Sequence, residues 1–226
     1  QFGFRRNCST ELGIIELVES VSQAIERRQY TVGVFLDIAK AFDTVNHKIL
    51  LDKLQIYGIN DKSIKWFSSY LCDRMQYVQL TNANSGLLPV TCGVPQGSIL
   101  GPLLFLIYVN DLANSVPCLQ VVMFADDTNV FYSHENIYTL FSRLNEQLKL
   151  ISAWFQANRL ALNVKKTRYM VFGSEKDTDV LPLSLGNLIL DGICIKRAYY
   201  TKFLGVPLDA NLTWTKHISE VTTKVS

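Results

Sequence analysis

Several features that mark well-known classes of protein are missing from this sequence. Its five cysteines contain no Cys-x-x-Cys pair and its three histidines do not cluster with them. The pattern therefore gives no sign of zinc and favours reduced thiols in an intracellular protein. A surplus of one charge is also missing, because 22 Lys and Arg stand against 20 Asp and Glu. Charge alone thus does not indicate a nucleic-acid partner, and any such function must be argued from a site.

Long hydrophobic runs are absent as well. The most apolar stretch, residues 99–109, is interrupted by Gly101 and Pro102 and is too short to cross a bilayer, so we expect it to lie in a core. No targeting signal is visible, and no association with a membrane is expected. The chain starts at Gln1 and ends within an amphipathic pattern at Ser226, which we interpret as a fragment of a longer protein. With 48% hydrophobic residues it can still build one sizeable core.

Hydrophobic periodicity predicts alternating helices and strands. A first helix is expected behind Ser9 or Thr10 as its cap, with Leu12, Ile15 and Val18 beginning its apolar stripe. Further helices are predicted over residues 46–57, 61–71, 98–112 and 137–158. Strands are predicted over 31–36, 120–124, 130–132 and 169–172, with a hairpin formed by 75–80 and 87–92 and short strands over 183–208. This mixture predicts an α+β fold, an antiparallel sheet backed by helices.

Acidic residues follow the most apolar predicted strands. Asp126 and Asp127 separate two apolar runs, and Asp37 ends another. Taken alone, the Asp pair fits a hairpin turn, and Asp37 fits a strand end or a helix cap. If the strands are neighbours, however, three carboxylates meet and repel each other unless a hard cation such as Mg²⁺ lies between them. That is the arrangement used for two-metal phosphoryl chemistry.

Six segments, in order, resemble the motifs of reverse transcriptases from non-long-terminal-repeat retrotransposons, and jockey-like elements are the most similar kind. The segment 35–47 resembles motif A, 93–105 motif B, and 124–127 (Phe-Ala-Asp-Asp) motif C. Residues 163–167 resemble motif D, 202–205 the primer grip, and 1–5 the fingers motif that opens this region. The resemblance implies a polymerase palm with partial fingers: about residues 1–30 in the fingers, about 31–226 mainly palm, and the thumb and the start of the fingers absent.

The resemblance also implies roles for individual residues. Two Mg²⁺ ions, with Mn²⁺ as an alternative, would be bound by Asp37, Asp126 and Asp127, aided by the Ile38 carbonyl, whereas Asp43 is interpreted as structural. Phe42 would exclude the 2′-hydroxyl of ribonucleotides, although without the family a buried core ring is the simpler interpretation. Substrate contacts are implied for Pro95, Gln96, Gly97 and Arg5, proton donation for Lys166 or its neighbour Lys165, and primer contacts for Phe203, Leu204 and Gly205.

The implied function is RNA-directed DNA synthesis, in which an RNA template, a DNA primer and dNTPs are the partners. The family implies the nucleus and cytoplasm, and the sequence does not indicate an oligomeric state. Three alternatives stay open: a catalytically inactive relic or domesticated nucleic-acid-binding domain, an RNA-directed RNA polymerase, and a fragment that is inactive by itself. Phe42 argues against RNA synthesis, because an RNA-making site must admit the 2′-hydroxyl.

Overall fold

One five-stranded sheet organises the computed structural model, which describes residues 1–173, 181–182 and 184–225. The helices are α1 (Thr10–Glu26), α2 (His47–Ile56), α3 (Asp61–Leu71), α4 (Leu100–Val109), α5 (Leu112–Ser115), α6 (Ile137–Ala157) and α7 (Thr215–Val225). The longer strands are β1 (Tyr30–Leu36), β7 (Gln120–Phe124), β8 (Asp127–His134) and β10 (Arg168–Phe172). The shorter strands are β2 (Ile38–Ala39), β3 (Met75–Gln76), β4 (Gln79–Leu80), β5 (Ala83–Asn84), β6 (Leu88–Pro89), β9 (Ala161–Leu162), β11 (Ile189–Leu190), β12 (Ile193–Cys194), β13 (Lys196–Arg197), β14 (Tyr200–Phe203) and β15 (Val206–Asp209).

The sheet has the order β13-β10-β1-β8-β7, and every adjacent pair is antiparallel except β10 with β13. β1 lies in the middle, and all of its residues after Tyr30 are buried. A run of β-branched and aromatic residues with no polar face is what a strand covered on both sides requires. The predicted α+β fold with an antiparallel sheet is confirmed.

The two faces of β1 belong to different cores, because successive side chains of a strand point in opposite directions. Val32, Val34 and Leu36 enter a large core shared with residues of α2, α4 and α6. Phe35 enters a smaller core with α1 and the hairpin of β14 and β15. Gly33 lies on this second side, where a Cβ atom would come within 2.6 Å of the Phe131 ring. The sheet is therefore covered by helices on one face and by α1 and a hairpin on the other.

The predicted cap of α1 is present at Ser9, and three other helices start with the same chemistry. The side chains of Ser9, Asn46, Asn60 and Asn136 each accept a hydrogen bond from the backbone N–H three residues later. The predicted stripe on α1 is partly wrong, since Leu12 and Ile15 are exposed and Val18 is only partly buried.

The buried stripe of α1 contains Gly13, Leu17, Val21 and Ala24 instead. Gly13 faces the turn between β14 and β15, where a Cβ atom would lie 2.9 Å from Leu204 Cδ1. Gly13 leaves room for the Leu204 side chain on this face of the helix.

The single helix predicted over residues 98–112 is wrong at both ends. Ser98 Oγ accepts a hydrogen bond from the Gly101 N–H and donates one to the Pro95 carbonyl, so α4 begins two residues later, at Leu100. At the other end, Lys53 Nζ donates to the Tyr108 carbonyl at 2.6 Å and forms an ion pair with Asp111 at the same distance. The ammonium takes a carbonyl that the next helical turn would use, and α5 follows as a separate short helix.

The predicted hairpin between α3 and α4 exists, but with different boundaries. β3 pairs with β6 and β4 pairs with β5, so the tight turn lies between Leu80 and Ala83 rather than over 82–86. Ser85 interrupts the ladder, because its N–H donates to the Val78 carbonyl and its hydroxyl accepts from the Val78 N–H. Most side chains of this hairpin are exposed.

The remaining features agree with the sequence in outline. Short strands do occupy the region after residue 184, while Leu183, where they were predicted to begin, lies outside the described residues. All five cysteines are free thiols. Within the described ranges, no helix combines the length and hydropathy needed to cross a bilayer.

Candidate polymerase active site

The three acidic residues meet at one end of the sheet. β7 and β8 are joined by a two-residue turn, in which Phe124 pairs with Asp127 and Ala125 has a φ of 55°. β1 and β8 are hydrogen-bonded neighbours, and their last pair joins Leu36 to Thr128. Asp37 and Asp127 each lie one residue beyond that pair. The strands that carry the acidic residues are therefore neighbours in the sheet, which the sequence alone could only assume.

The electrostatics of this end show that the carboxylates act on one another. The side chain of Asp127 is exposed, but nearby protein atoms partly desolvate it and raise its pKa, and the charges of Asp126 and Asp37 raise it further. Among the described residues, none of the three carboxylates forms an ion pair with a Lys, Arg or His side chain. Three hard oxygen donors without a protein cation suit Mg²⁺ or Mn²⁺.

The carboxylates form an open set rather than a closed cage. Across residues 1–173, 181–182 and 184–225, no three His, Cys, Asp or Glu side chains are grouped closely enough to hold a metal ion. The fit to a divalent cation rests on the chemistry of the carboxylate donors and not on a preformed cage. Further oxygens would have to come from bound water or from substrate, as is usual for Mg²⁺ in nucleotide-handling sites.

The first residues of the chain support the acidic turn. Gln1 Oε1 accepts hydrogen bonds from the N–H groups of Ala125 at 3.1 Å and Gly3 at 2.9 Å. The Phe2 N–H donates to the Met123 carbonyl at 2.7 Å. A Cβ atom on Gly3 would lie 2.3 Å from the Ala125 nitrogen, so only glycine permits this approach. The resemblance gave no role to these residues, and their contacts join positions that are far apart in the sequence.

Arg5 lies in the same segment but next to other partners. Its guanidinium donates to the Gln1 carbonyl at 3.2 Å. It lines a depression with Tyr57, Leu103 and Asn110, which is separate from the cleft described below.

Asp37 is held by the loop that carries Lys165 and Lys166. The Asp37 carbonyl accepts from the Asn163 N–H at 2.7 Å, and the Asp37 N–H donates to Thr167 Oγ1 at 3.4 Å. The pairing of β2 with β9 continues this connection, since Ile38 is opposite Leu162. Both lysines are exposed. The structure therefore attaches the lysine loop directly to the first acidic residue without distinguishing the two lysines.

Phe42 lies in a short 3-10 helix, Ala41–Asp43, immediately after β2. Its ring packs against Phe105 of α4, with centroids 4.4 Å apart. Its carbonyl accepts from the Val94 N–H at 2.9 Å. The ring is only partly buried, so it combines a core contact with a solvent-facing part, and the two sequence interpretations of this residue are both compatible with its position.

Asp43 has more contacts than its interpretation as a structural residue required. Its Oδ1 accepts from Gln96 Nε2 at 2.7 Å, and its carbonyl accepts from the Cys92 thiol at 3.3 Å. Gly93 makes this approach possible, because a Cβ atom there would lie 2.8 Å from the Asp43 carbonyl oxygen. His47 Nε2 lies 2.7 Å from the Gly93 carbonyl oxygen. Sequence reasoning missed the pairing of Asp43 with Gln96, and Gly93 was the one local signal of a close backbone approach.

A cleft of about 680 Å³ opens on this side of the molecule. Its lining includes Lys40, Asp43, Arg74, Pro95 and Gln96. Asp37, Asp126 and Asp127 do not line it. Gly97, with a φ of 78° and nothing within 4 Å of where its Cβ would be, faces open space beside this loop. Pro95 and Gln96 thus line the cleft with Gly97 next to them in the chain, while the carboxylates lie at the end of the sheet.

The 203–205 segment forms the turn between β14 and β15. Phe203 is buried and its ring contacts Phe35 at 6.0 Å and Phe131 at 6.4 Å, measured between centroids. Leu204 and Gly205 both have positive φ, which a tight turn requires. Because Phe35 precedes Asp37 by two residues, this turn is anchored under the strand that carries the first carboxylate.

An antiparallel sheet with an acidic turn at one end and helices on one face is the palm architecture of nucleic-acid polymerases. Comparison with known proteins agrees with it. Residues 1–208 match the model of the family described as "Reverse transcriptase (RNA-dependent DNA polymerase)". The chain therefore belongs to the reverse transcriptase family.

Two relatives and one solved structure give the details. The RNA-directed DNA polymerase from mobile element jockey of Drosophila melanogaster is 31% identical over 98% of this chain, and the probable RNA-directed DNA polymerase from transposon BS of the same species is 32% identical over 98%. The chain spans about a quarter of their length, 24% and 25%. A structure of apo telomerase from Candida tropicalis matches with a TM-score of 0.60 at 14% identity, over 92% of this chain and 36% of that one, which supports the fold alone. The resemblance to jockey-like reverse transcriptases is confirmed.

Proposed function

We propose that this chain is the catalytic core of an RNA-directed DNA polymerase that copies a retrotransposon RNA by extending the 3′-hydroxyl of a DNA primer with dNTPs. The observation that supports this most is that Asp37, Asp126 and Asp127 lie together at one end of the sheet. Among the described residues, no cationic side chain pairs with them. Family membership supports the same conclusion. We further propose that residues 1–30 belong to the fingers and that most of the remainder is palm.

The metal site follows from the donor set. Asp37 and Asp126, with Asp127 in support and the Ile38 carbonyl as a further ligand, would hold two Mg²⁺ ions, for which Mn²⁺ can substitute. When bound, such ions lower the pKa of the attacking hydroxyl and neutralise the leaving pyrophosphate. The raised pKa of Asp127 supports this assignment, because a bound cation removes the repulsion that causes part of the shift.

Substrate selection is assigned to the contact region between the 3-10 helix and the loop at residues 93–97. Phe42 is proposed to lie beneath the sugar and to exclude a 2′-hydroxyl, with Phe105 keeping its ring in place. Pro95, Gln96 and Gly97 would line the new base pair. Asp43 then has a positioning role, since it fixes the Gln96 amide at the mouth of the cleft.

Charge and primer contacts complete the mechanism. Lys166, or Lys165 beside it, would donate a proton to the leaving pyrophosphate, and its loop is hydrogen-bonded to the Asp37 backbone. Phe203, Leu204 and Gly205 would hold the primer end by packing and backbone contacts. Arg5 is proposed to contact the triphosphate, which would require it to leave the Gln1 carbonyl. The nucleus and cytoplasm are the proposed compartments, where template RNA and target DNA are found.

Primer extension tests this function. We would supply a poly(rA) template, an oligo(dT) primer, labelled dTTP and Mg²⁺ to this chain and to a longer chain extended at both ends. Asp126→Asn should abolish incorporation, while Glu146→Gln, which changes an exposed carboxylate on α6, should leave it unchanged. Activity of the longer chain only would mean that this fragment is incomplete. Loss of activity in both, with folding and template–primer binding intact, would contradict the proposal and favour an inactive relic.

A further inference from the structure

Helix α3 carries a stacked aromatic ladder on its outer surface. Trp66 and Tyr70 stack with an interplanar angle of 7° and centroids 5.7 Å apart. Arg74 continues the series, with its Cζ 5.9 Å from the centre of the Tyr70 ring. The spacing of four residues places Trp66 and Tyr70 on one side of the helix, and Arg74 lies three residues beyond the end of the helix at Leu71. We call Trp66, Tyr70 and Arg74 the α3 ladder.

The α3 ladder is packed against the protein at Tyr70, whereas its Trp66 end is exposed to solvent. Tyr70 is partly buried against the large core, and Trp66 meets the edge of Phe67 at 5.1 Å. Even so, 54% of Trp66 is exposed, whereas Trp154 in the core is 9% exposed. A tryptophan that served only packing would be covered in the same way as Trp154. The stacked and fixed indole instead presents surface to solvent in a defined orientation.

Charge around the ladder favours a polyanion. Residues 61–74 contain three cations, Lys62, Lys65 and Arg74, against two carboxylates, and all of these side chains are exposed. Lys62 precedes Trp66 by one helical turn, so cations stand before and after the aromatic pair. Aromatic rings interleaved with cations bind single-stranded nucleic acid, because each base has a face that can stack and each linkage has a phosphate.

The ladder also borders the candidate active site. Arg74 lines the cleft that contains Asp43, Pro95 and Gln96. It lines a second depression with His47 and Lys48 as well. A strand that leaves the cleft at Arg74 would next meet Tyr70 and then Trp66. The position of the ladder therefore suits a strand that is already unpaired on its way to or from the site.

We propose that the α3 ladder is a stacking platform for single-stranded RNA, on which bases of the template strand lie outside the cleft. The naming of this strand as template rests on the proposed function, whereas the stacking itself rests on the ladder and its charges. Binding is by shape and charge, so it is tolerant of sequence and weakens with salt.

The test uses the fluorescence of Trp66, since it is the most exposed of the three tryptophans. The chain is titrated with single-stranded oligo(U), and tryptophan emission and the anisotropy of labelled RNA are followed together. A base stacked on Trp66 should quench its emission. Trp66→Phe should remove the quenching but keep the affinity, because phenylalanine preserves a stacking face. Trp66→Ala and Tyr70→Ala should each weaken binding by about 5- to 150-fold.

Two control variants distinguish the stacking platform from a general effect of losing an exposed aromatic side chain and from the proposed polymerase function. Tyr138→Ala removes an exposed tyrosine on α6 and should leave RNA affinity unchanged. Asp126→Asn should retain quenching while losing polymerisation. Quenching by RNA in a parent chain that itself makes no DNA would support the ladder and contradict the proposed polymerase function. The ladder proposal is overturned if RNA binds without quenching Trp66, if Trp66→Ala changes only the melting temperature, or if duplex RNA competes as well as single strands.

Discussion

Replacing Gly93 by alanine is the perturbation whose cost the structure defines best. Gly93 has a φ of 89°, which L residues rarely adopt, and its Cβ would lie 2.8 Å from the Asp43 carbonyl oxygen and 3.0 Å from the Asp43 carbonyl carbon. Gly58 has the same φ of 89° but nothing within 4 Å of its Cβ position. The two substitutions share the backbone cost and differ in the steric one.

The magnitudes follow from these two contributions. A Cβ in a left-handed conformation costs about 1–2 kcal/mol, which is the whole expected effect of Gly58→Ala. Gly93→Ala should add about 1–3 kcal/mol for the displaced Asp43 backbone, giving a total of about 2–5 kcal/mol. Because Asp43 holds Gln96, Gly93→Ala should also reduce dTTP incorporation, whereas Gly58→Ala should not.

Urea denaturation followed by circular dichroism measures both variants under the same conditions. The difference between their unfolding free energies should be about 1 kcal/mol or more, with unchanged denaturant dependence. Equal destabilisation by the two substitutions would refute the close approach of Gly93 to Asp43. Full incorporation activity in a destabilised Gly93→Ala chain would refute the link between Asp43 and the substrate cleft.

Three other predictions concern buried charge, the acidic turn and sugar selection. Asp111→Ala should destabilise the chain by about 3 kcal/mol because it leaves the Lys53 ammonium buried without its partner, and Lys53→Met should cost much less. Burial lowers the pKa of Lys53, so the unfolded chain holds this proton more tightly than the folded chain does. The unfolding free energy of the parent chain, relative to that of Lys53→Met, should therefore rise as the pH approaches 10.5. Asp127→Asn should raise the melting temperature at neutral pH in EDTA, because the pKa of Asp127 is raised and its charge costs stability. That gain should shrink as the pH falls toward 3.8, and Mg²⁺ should stabilise the parent chain more than the variant. Phe42→Ala should reduce the preference for dTTP over UTP by about 10- to 100-fold in primer extension.

Each of these results has a contradicting outcome. A Lys53→Met chain as unstable as Asp111→Ala would show that the ion pair is not the source of the cost. A lower melting temperature for Asp127→Asn at neutral pH in EDTA would mean that hydrogen bonds of this carboxylate outweigh the repulsion. Unchanged UTP rejection by Phe42→Ala, with dTTP incorporation intact, would leave Phe42 a core residue that packs on Phe105.

Local chemistry allowed much of the fold to be predicted. The cap of α1 was predicted at Ser9 or Thr10 because such side chains bond the nearest free N–H groups, and the Ser9 side chain does accept from the Leu12 N–H. The uniformly apolar run of β1 indicated a strand covered on both faces. The end of α4 could not be predicted in this way. It depends on Lys53, which is distant in sequence and binds the Tyr108 carbonyl.

The candidate site, like the fold, could be predicted only in part from the sequence. The acidic residues could be identified from the sequence because they follow apolar strands. The resemblance to the family, whose motifs occur in the same order, then assigned them to one site. The pairing of Asp43 with Gln96 and the contact of Gln1 with Ala125 could not be found, because each joins segments at least fifty residues apart by a side-chain hydrogen bond. No periodicity or local propensity reports such a contact.

The central position of β1 has a consequence during protein synthesis. β1 leaves the ribosome before its partner β8, which follows about 90 residues later, as the pairing of Leu36 with Thr128 shows. At a translation rate of about 5–20 residues per second, the nascent strand waits roughly 5–20 s for that partner. Throughout this interval an apolar strand with two unpaired edges is available to other chains. Chains interrupted before Thr128 should therefore depend on chaperones, and messages that slow the ribosome between α2 and β7 should lower the yield of folded protein.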